Sequence, residues 1–115
     1  MSKQFINPPE LNPTRGFTHV VTATGGKTVY VSGQVSVDSA GAVVGRGDFK
    51  AQVERTFENL RAALAAAGAT FADVVKVTTF VVALAPEHLA VVREVRGRYL
   101  AAAPLAVQVT KRLLP

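Results

Sequence analysis

TVYVSGQVSVD, residues 28–38, decides the fold, together with DVVKVTTFVVAL at residues 73–84. In the first stretch apolar and polar positions alternate. Val29, Val31, Gly33, Val35 and Val37 take one side of an extended chain, and Tyr30, Ser32, Gln34 and Ser36 take the other. A period of two marks a half-buried strand. The second stretch is dense in β-branched residues: Val74, Val75, Val77, Thr78, Thr79, Val81 and Val82. Such side chains are stiff in a helix and pack well on a pleated surface. Val75, Val77, Val81 and Ala83 lie on one side of this strand, and Val74, Phe80, Val82 and Leu84 on the other. Both faces are apolar over much of its length, so both are expected to be covered. One chain of this size has no third layer to supply, which predicts an oligomer.

Upstream, HVVTAT at residues 19–24 reads as a short strand. Gly25-Gly26 follows as a two-residue turn in which both positions can take positive φ. An antiparallel hairpin of 19–24 with 28–37 is the expectation. Residues 1–16, with Pro8, Pro9 and Pro13, read as an extended arm, because proline removes donors and fixes φ. Residues 38–47 carry Gly41, Gly45 and Gly47 and read as a loop. Asp48 is a good N-cap. Phe49, Val53, Phe57, Leu60 and Leu64 then form one helical stripe, Lys50–Glu54 is an i,i+4 pair in the weaker order, and Gly68 closes the helix. A helix is predicted over 48–67. Pro86 suits the first position of a second helix, about 86–100, with Leu89, Val92, Val95 and Tyr99 inward. LAVQVT at 105–110 is a last short strand. The order β-β-α-β-α-β predicts a single α+β domain over residues 1–115. A mixed sheet would carry two helices on one face through right-handed crossovers.

Composition narrows the function. There is no cysteine, so no disulfide framework or thiolate chemistry, and a reducing cytoplasm is the expected setting. The N-terminal residues have no apolar core of the kind a secretory leader needs, and no apolar run approaches the roughly 18 residues of a membrane span. No membrane partner is expected. His19 and His88 stand far apart without ligand spacing, so no metal and no cofactor is expected. The net charge is +5. Arg93 and Arg96 share a helical face, read as a solvated one, and no aromatic ladder accompanies them. No nucleic-acid partner is expected. Hydrolase triads and phosphate loops are absent.

RGFTHVVTATGG (15–26), VSGQVSVD (31–38), Ala66-Ala67-Gly68, DVVKVTTFV (73–81) and Arg98-Tyr99-Leu100 together resemble, in order and spacing, the Rid family (RidA/YjgF, also called endoribonuclease L-PSP). These are small proteins best known as enamine/imine deaminases. The resemblance implies a chorismate-mutase-like homotrimer with ligand clefts between subunits. Here Phe17, Ser32, Gly33 and Leu105 would border the cleft, and its ligand would be a small imine, enamine or carboxylate. Deamination needs a cation for the substrate carboxylate, a placed water, and a group that manages protons. The family arginine falls on or beside Pro104, within AAAPLA at 101–106, which offers no cation. The family tyrosine falls on Phe17, a polar residue after the third strand falls on Ala85, and an acidic residue belongs to a further strand that these 115 residues do not reach. Ser32 is retained. No catalytic residue is assigned on this basis. Arg15, Lys111 and Arg112 are the cations that could approach the cleft from another direction. A non-catalytic metabolite-binding protein is the first alternative, and an endoribonuclease or translation inhibitor the second.

Individual residues carry two readings. Gly33 in mid-strand suggests a close backbone approach or a bulge. Gln34 reads as a satisfied sheet residue. His19 is either a general base near neutrality or a structural residue opening a strand.

Overall fold

Asp48 opens the first helix as its chemistry predicts. Its backbone is extended, and its carboxylate accepts a hydrogen bond from the Ala51 N–H at 3.0 Å, satisfying one of the donors a helix start leaves open. The computed structural model describes residues 2–14, 17–100 and, as backbone, 106–112. Its elements are β1 (Ser2–Ile6), β2 (Val20–Thr24), α1 (Phe49–Ala66), a 3-10 turn (Phe71–Asp73), β3 (Lys76–Val82), α2 (Pro86–Tyr99) and β4 (Ala106–Arg112). Helix α1 ends in a Schellman motif. Gly68, at φ 74°, donates to the Ala65 carbonyl at 3.0 Å, and Ala69 donates to Leu64 at 2.9 Å.

Pro86 opens α2, where its missing N–H costs nothing. The cap residue, Ala85, has no side-chain acceptor. His88 reaches back instead, and its Nδ1 accepts from the Ala85 N–H at 3.0 Å. That contact accounts for His88, whose ring also packs 4.5 Å from Phe49. The two helices run side by side in the same direction, because partners rise together along both: Lys50 meets Glu94 and Glu54 meets Arg98, each at 3.0 Å. The expected Lys50–Glu54 pair within α1 is therefore replaced by two pairs between helices. Lysine ahead of glutamate is the weaker helical order, and α2 offers each of them an opposite charge. Beneath lie Phe57, Leu64, Val92 and Val95, all buried.

Strands β3 and β4 are parallel, in register from Lys76↔Ala106 to Val82↔Arg112, and α2 is the crossover between them. β3 is shorter than the β-branched run. Asp73 is held in the 3-10 turn, its carboxylate accepting from the Thr70 N–H at 2.9 Å, and Ala83 turns the chain away at φ 52°. One face of β3 points inward, with Val81 only 4% exposed, while Phe80 (64%) and Val82 (57%) face outward. The second apolar face predicted for this strand is present, and the described residues leave it exposed.

The first two strands are not the hairpin predicted. β2 pairs antiparallel with β1, from Ser2↔Thr24 to Ile6↔Val20, so the N-terminal arm supplies the partner expected from residues 28–37. Lys3 Nζ also donates to the Ala72 carbonyl, tying β1 to the 3-10 turn. Among the described residues the ladders make two two-stranded sheets, β1-β2 and β3-β4, rather than one mixed sheet. Gly25 (φ 76°) and Gly26 (φ 73°) do adopt the left-handed turn their sequence suggests. Residues 28–36 nevertheless form no ladder, and Val37 forms only a single bridge, to Val43. Side chains of α1 take carbonyls that a ladder would have used: Asn59 Nδ2 donates to Val35 and Val37 at 2.9 Å each, and Arg55 Nε donates to Val37 at 3.2 Å.

Candidate functional site

Ser36 to Val44 is a closed loop. Ser36 Oγ donates to the Val44 carbonyl at 2.7 Å, and the Asp38 carboxylate accepts from the Ala40 and Ala42 N–H groups at 2.9 Å each. This loop and the α1 contacts fix one end of the 28–37 segment. The rest runs over the surface with apolar side chains outward: Tyr30 is 92% exposed and Val35 62%, and Val29 and Val31 are exposed as well. Ser32 and Gly33 lie in this exposed run. The Ser32 carbonyl accepts from Gln34 Nε2 at 3.3 Å. A Cβ added at Gly33 would meet no atom within 4 Å. Among the described residues the close approach or bulge expected at Gly33 is thus not made, because none of their strands lies beside the segment. Gln34 folds back on its own backbone instead of serving a sheet.

Phe17 is half-buried and stands edge-on to the His19 ring, with centroids 5.3 Å apart. His19 is a fastening. Its N–H donates to Asn7 Oδ1 and its Nε2 donates to the Asn12 carbonyl, both at 2.9 Å, pinning the proline-rich stretch to the start of β2. With Nε2 so engaged, the structural reading of His19 has the better support. Leu105, Pro104 and Arg15 lie outside the described residues. Lys111 and Arg112 belong to β4, their backbones opposite Val81 and Val82. Ser32 and Gly33 are brought together by sequence alone. Among the described residues, no hydrogen bond or ring contact joins them to Phe17.

Sequence reasoning missed a cluster at the far ends of the helices. Tyr99 donates to Glu58 Oε2 at 2.6 Å, and Arg61 Nη1 reaches the two oxygens of the same carboxylate at 3.2 and 2.9 Å. The Tyr99 ring stacks on Phe57 at 5.0 Å and meets Phe71 edge-on at 5.4 Å, with the Arg61 guanidinium 5.0 Å above it. The hydrogen bond to Glu58, then partial burial, then the Glu58 charge hold the Tyr99 phenol above its ordinary pKa, so it stays protonated. The cluster braces α1, α2 and the 3-10 turn against one another. The only signal in the sequence is Glu58 and Arg61 at i,i+3. Among the described residues no group of three or more His, Asp or Glu side chains could hold a metal ion, and no helix is long and apolar enough to cross a membrane.

Comparison with known proteins adds what one chain cannot carry alone. The family model described as Endoribonuclease L-PSP matches residues 8–115. Protein DfrA of Myxococcus xanthus is 42% identical over 90 residues, which cover 78% of this chain and 67% of that protein. A 2-iminobutanoate/2-iminopropanoate deaminase of Dermatophagoides farinae is 36% identical over 56 residues, covering 49% of this chain and 44% of that one. The chain spans less than half the length of four further curated relatives that it matches. Among solved structures, the Rid protein YyfB of Yersinia pestis, of unknown function, superposes with a TM-score of 0.89 at 35% identity, over 100% of this chain and 89% of that one. The order of two helices and short strands, the positions of the motifs and these matches agree: the chain belongs to the endoribonuclease L-PSP family, the Rid/YjgF proteins.

Proposed function

We propose that the chain is a subunit of a homotrimer whose intersubunit clefts, bordered by Phe17, Ser32, Gly33 and Leu105, take small imine or enamine carboxylates. The observation that carries this reading is the uncovered apolar surface of the single chain. Tyr30 and Val35 on one segment and Phe80 and Val82 on β3 are all more than half exposed, and a second copy would remove them from water. The relative named as a 2-iminobutanoate/2-iminopropanoate deaminase favours imines as the ligand class. In such a reaction water adds to the C=N carbon, the C–N bond breaks, and ammonia and a 2-oxo acid leave.

A second reading has its own support. AAAPLA at 101–106 has no cation for the substrate carboxylate, and Phe17 has no hydroxyl. Both favour a protein that binds such metabolites without turning them over quickly. Losing a charge-assisted contact costs about 1.5–3 kcal/mol, roughly tenfold to over a hundredfold in rate. Losing a proton-transfer group removes a further factor of about 10²–10⁴. The test is hydrolysis of 2-aminoacrylate, generated in situ, by this protein beside an arginine-containing relative. Near-background rates with saturable, ligand-dependent stabilisation support the binding form. Comparable rates defeat it, and single substitution of Arg15, Lys111 and Arg112 then identifies the cation that acts. RNA cleavage with steep salt dependence would favour the endoribonuclease activity that the family description names.

A further inference from the structure

The two histidines of the chain play opposite parts in their hydrogen bonds. His19 Nε2 donates to the Asn12 carbonyl, and a protonated ring keeps that contact. His88 Nδ1 accepts, and its donor is the Ala85 backbone N–H at 3.0 Å. A backbone amide nitrogen only donates, so Nδ1 carries no hydrogen and the donor assigns this ring its neutral Nε2–H form. The acceptor stands where the start of α2 needs one. Ala85, the cap residue, makes no side-chain cap, and Pro86 follows it. The same contact closes the turn out of β3, in which Ala83 sits at φ 52°.

We propose that the Ala85–His88 contact is an acid-sensitive latch, and that proton uptake at His88 Nδ1 releases the start of α2 and the turn at Ala83–Ala85. A hydrogen on Nδ1 would set two donors face to face at 3.0 Å, so the contact must open. It would also put a positive charge at the positive end of the helix dipole. The open form takes the proton, so the latch is closed at the alkaline end of the imidazole range, about pH 8 to 5, and opens toward the acid end. Charged groups on the surrounding elements bear on this. Asp48 and Lys50 flank Phe49, against which the ring packs, and they are engaged with the Ala51 N–H and Glu94. Glu87 precedes His88 on α2 and is exposed, and Lys111 and Arg112 stand on β4 opposite Val81 and Val82. Asp48, Glu87 and the Phe49 ring favour an imidazolium, each by at most about fivefold when open to solvent. Stranding the Ala85 N–H weighs about tenfold or more, and the dipole adds to it. Opening is local, because Lys50–Glu94, Glu54–Arg98 and Glu58–Tyr99 hold the rest of α2. The latch lies within one chain and rests on neither the trimer nor the cleft.

The experiment follows hydrogen exchange at the Ala85 amide of the full chain from pH 8 to pH 5, corrected for the intrinsic pH dependence of exchange. Wild type is expected to lose at least about tenfold in protection over that range. His88→Gln puts an amide oxygen at the third helical position, where a capping box uses one, and it does not titrate. Its Ala85 protection should stay constant, and its urea midpoint should gain on that of wild type as the pH falls. His88→Leu keeps bulk against Phe49 without an acceptor, and should leave Ala85 unprotected at both ends of the range. His19→Gln should leave the wild-type acid response in place. Protection at Ala85 that runs parallel in wild type and His88→Gln, or an acid response that vanishes with His19→Gln, overturns the proposal. Should His88→Gln not fold, nitrogen NMR of wild type decides. His88 Nδ1 should be unprotonated at pH 8, and the Ala85 amide signal should move as His88 takes up its proton. A protonated Nδ1 at pH 8 or an unmoved Ala85 signal overturns the latch.

Discussion

Tyr99, the last residue of α2, donates its phenolic hydrogen to Glu58 Oε2 on α1 at 2.6 Å. The contact completes a row of interhelical pairs, Lys50–Glu94, Glu54–Arg98 and Glu58–Tyr99, that climbs both helices together. The row sets their relative shift along the axis, while Phe57, Val92 and Val95 supply the burial beneath it.

Tyr99→Phe keeps the stack on Phe57 and removes only the hydroxyl. It is expected to cost about 1 kcal/mol, at the low end for a bond to a charged acceptor because Glu58 is accessible to solvent. The pH dependence has a definite sign. The fold raises the Tyr99 pKa above its ordinary value of 10.0, so the stabilisation is complete below that value and is lost as pH rises through the folded one. Urea unfolding of both proteins from pH 7 upward should show their difference shrinking above about pH 10. A difference that stays constant through that range would remove the Glu58 bond as its source.

Two glycines separate strain within the chain from contacts outside it. Gly45 sits at φ 78°, and a Cβ there would lie 3.0 Å from the Ala51 Cβ and 3.4 Å from the Gln52 nitrogen. Gly45→Ala is expected to destabilise by more than the ~1–2 kcal/mol of the left-handed backbone alone, since α1 begins at that contact. At Gly33 a Cβ meets nothing within 4 Å and φ is not positive. Gly33→Ala should therefore leave the stability of the single chain within about 0.5 kcal/mol. It should weaken self-association or ligand binding, because the cleft reading places another molecule there. Denaturant unfolding and sedimentation of both variants check the pair. A strongly destabilised but fully assembled Gly33→Ala protein would defeat the cleft assignment of Gly33.

Helices were legible because their signals are local. Asp48, Gly68 and Pro86 act within one turn of themselves, and the stripe from Phe49 to Leu64 needs only the helical period. β3 was legible for a similar reason, since few other elements accept seven β-branched residues in twelve. Strand partners are not local. Nothing in TVYVSGQVSVD says that Ser2–Ile6 will take β2, or that Asn59 and Arg55 will claim the carbonyls of Val35 and Val37. The candidate site was legible only through resemblance. Ser32 and Gly33 sit on an exposed segment whose covering, if a second copy provides it, is written in no single chain. Glu58 and Tyr99 stand 41 positions apart, and their meeting depends on two helices running in the same direction.

Ala83 is the only described non-glycine residue at positive φ, 52°, where β3 turns toward α2. A Cβ in that region crowds the following carbonyl at a cost of about 1–2 kcal/mol. Ala83→Gly relieves the crowding but adds freedom to the unfolded chain, which offsets about 0.4–1 kcal/mol. A net gain of up to about 1 kcal/mol is expected, read as a higher denaturation midpoint at unchanged slope. A loss would mean that the Ala83 methyl group packs usefully.

The last prediction sets the two faces of β3 against each other. Val81 is 4% exposed and points into the chain, so Val81→Asp buries a charge without a partner. That should cost several kcal/mol and unfold the protein. Phe80, one residue earlier, is 64% exposed and points the other way. Phe80→Lys places its charge in water in the single chain and should leave the monomer folded by circular dichroism. In a trimer that covers this face, the same lysine would be buried against a second subunit, and assembly should fail. Sedimentation therefore reads the two variants differently: Val81→Asp as an unfolded or aggregated chain, Phe80→Lys as a folded monomer. If wild type sediments as a monomer at micromolar concentration, the trimer is wrong. If Phe80→Lys still sediments as a trimer, the chain assembles through some other surface, and the outer face of β3 stays open to solvent in the assembly.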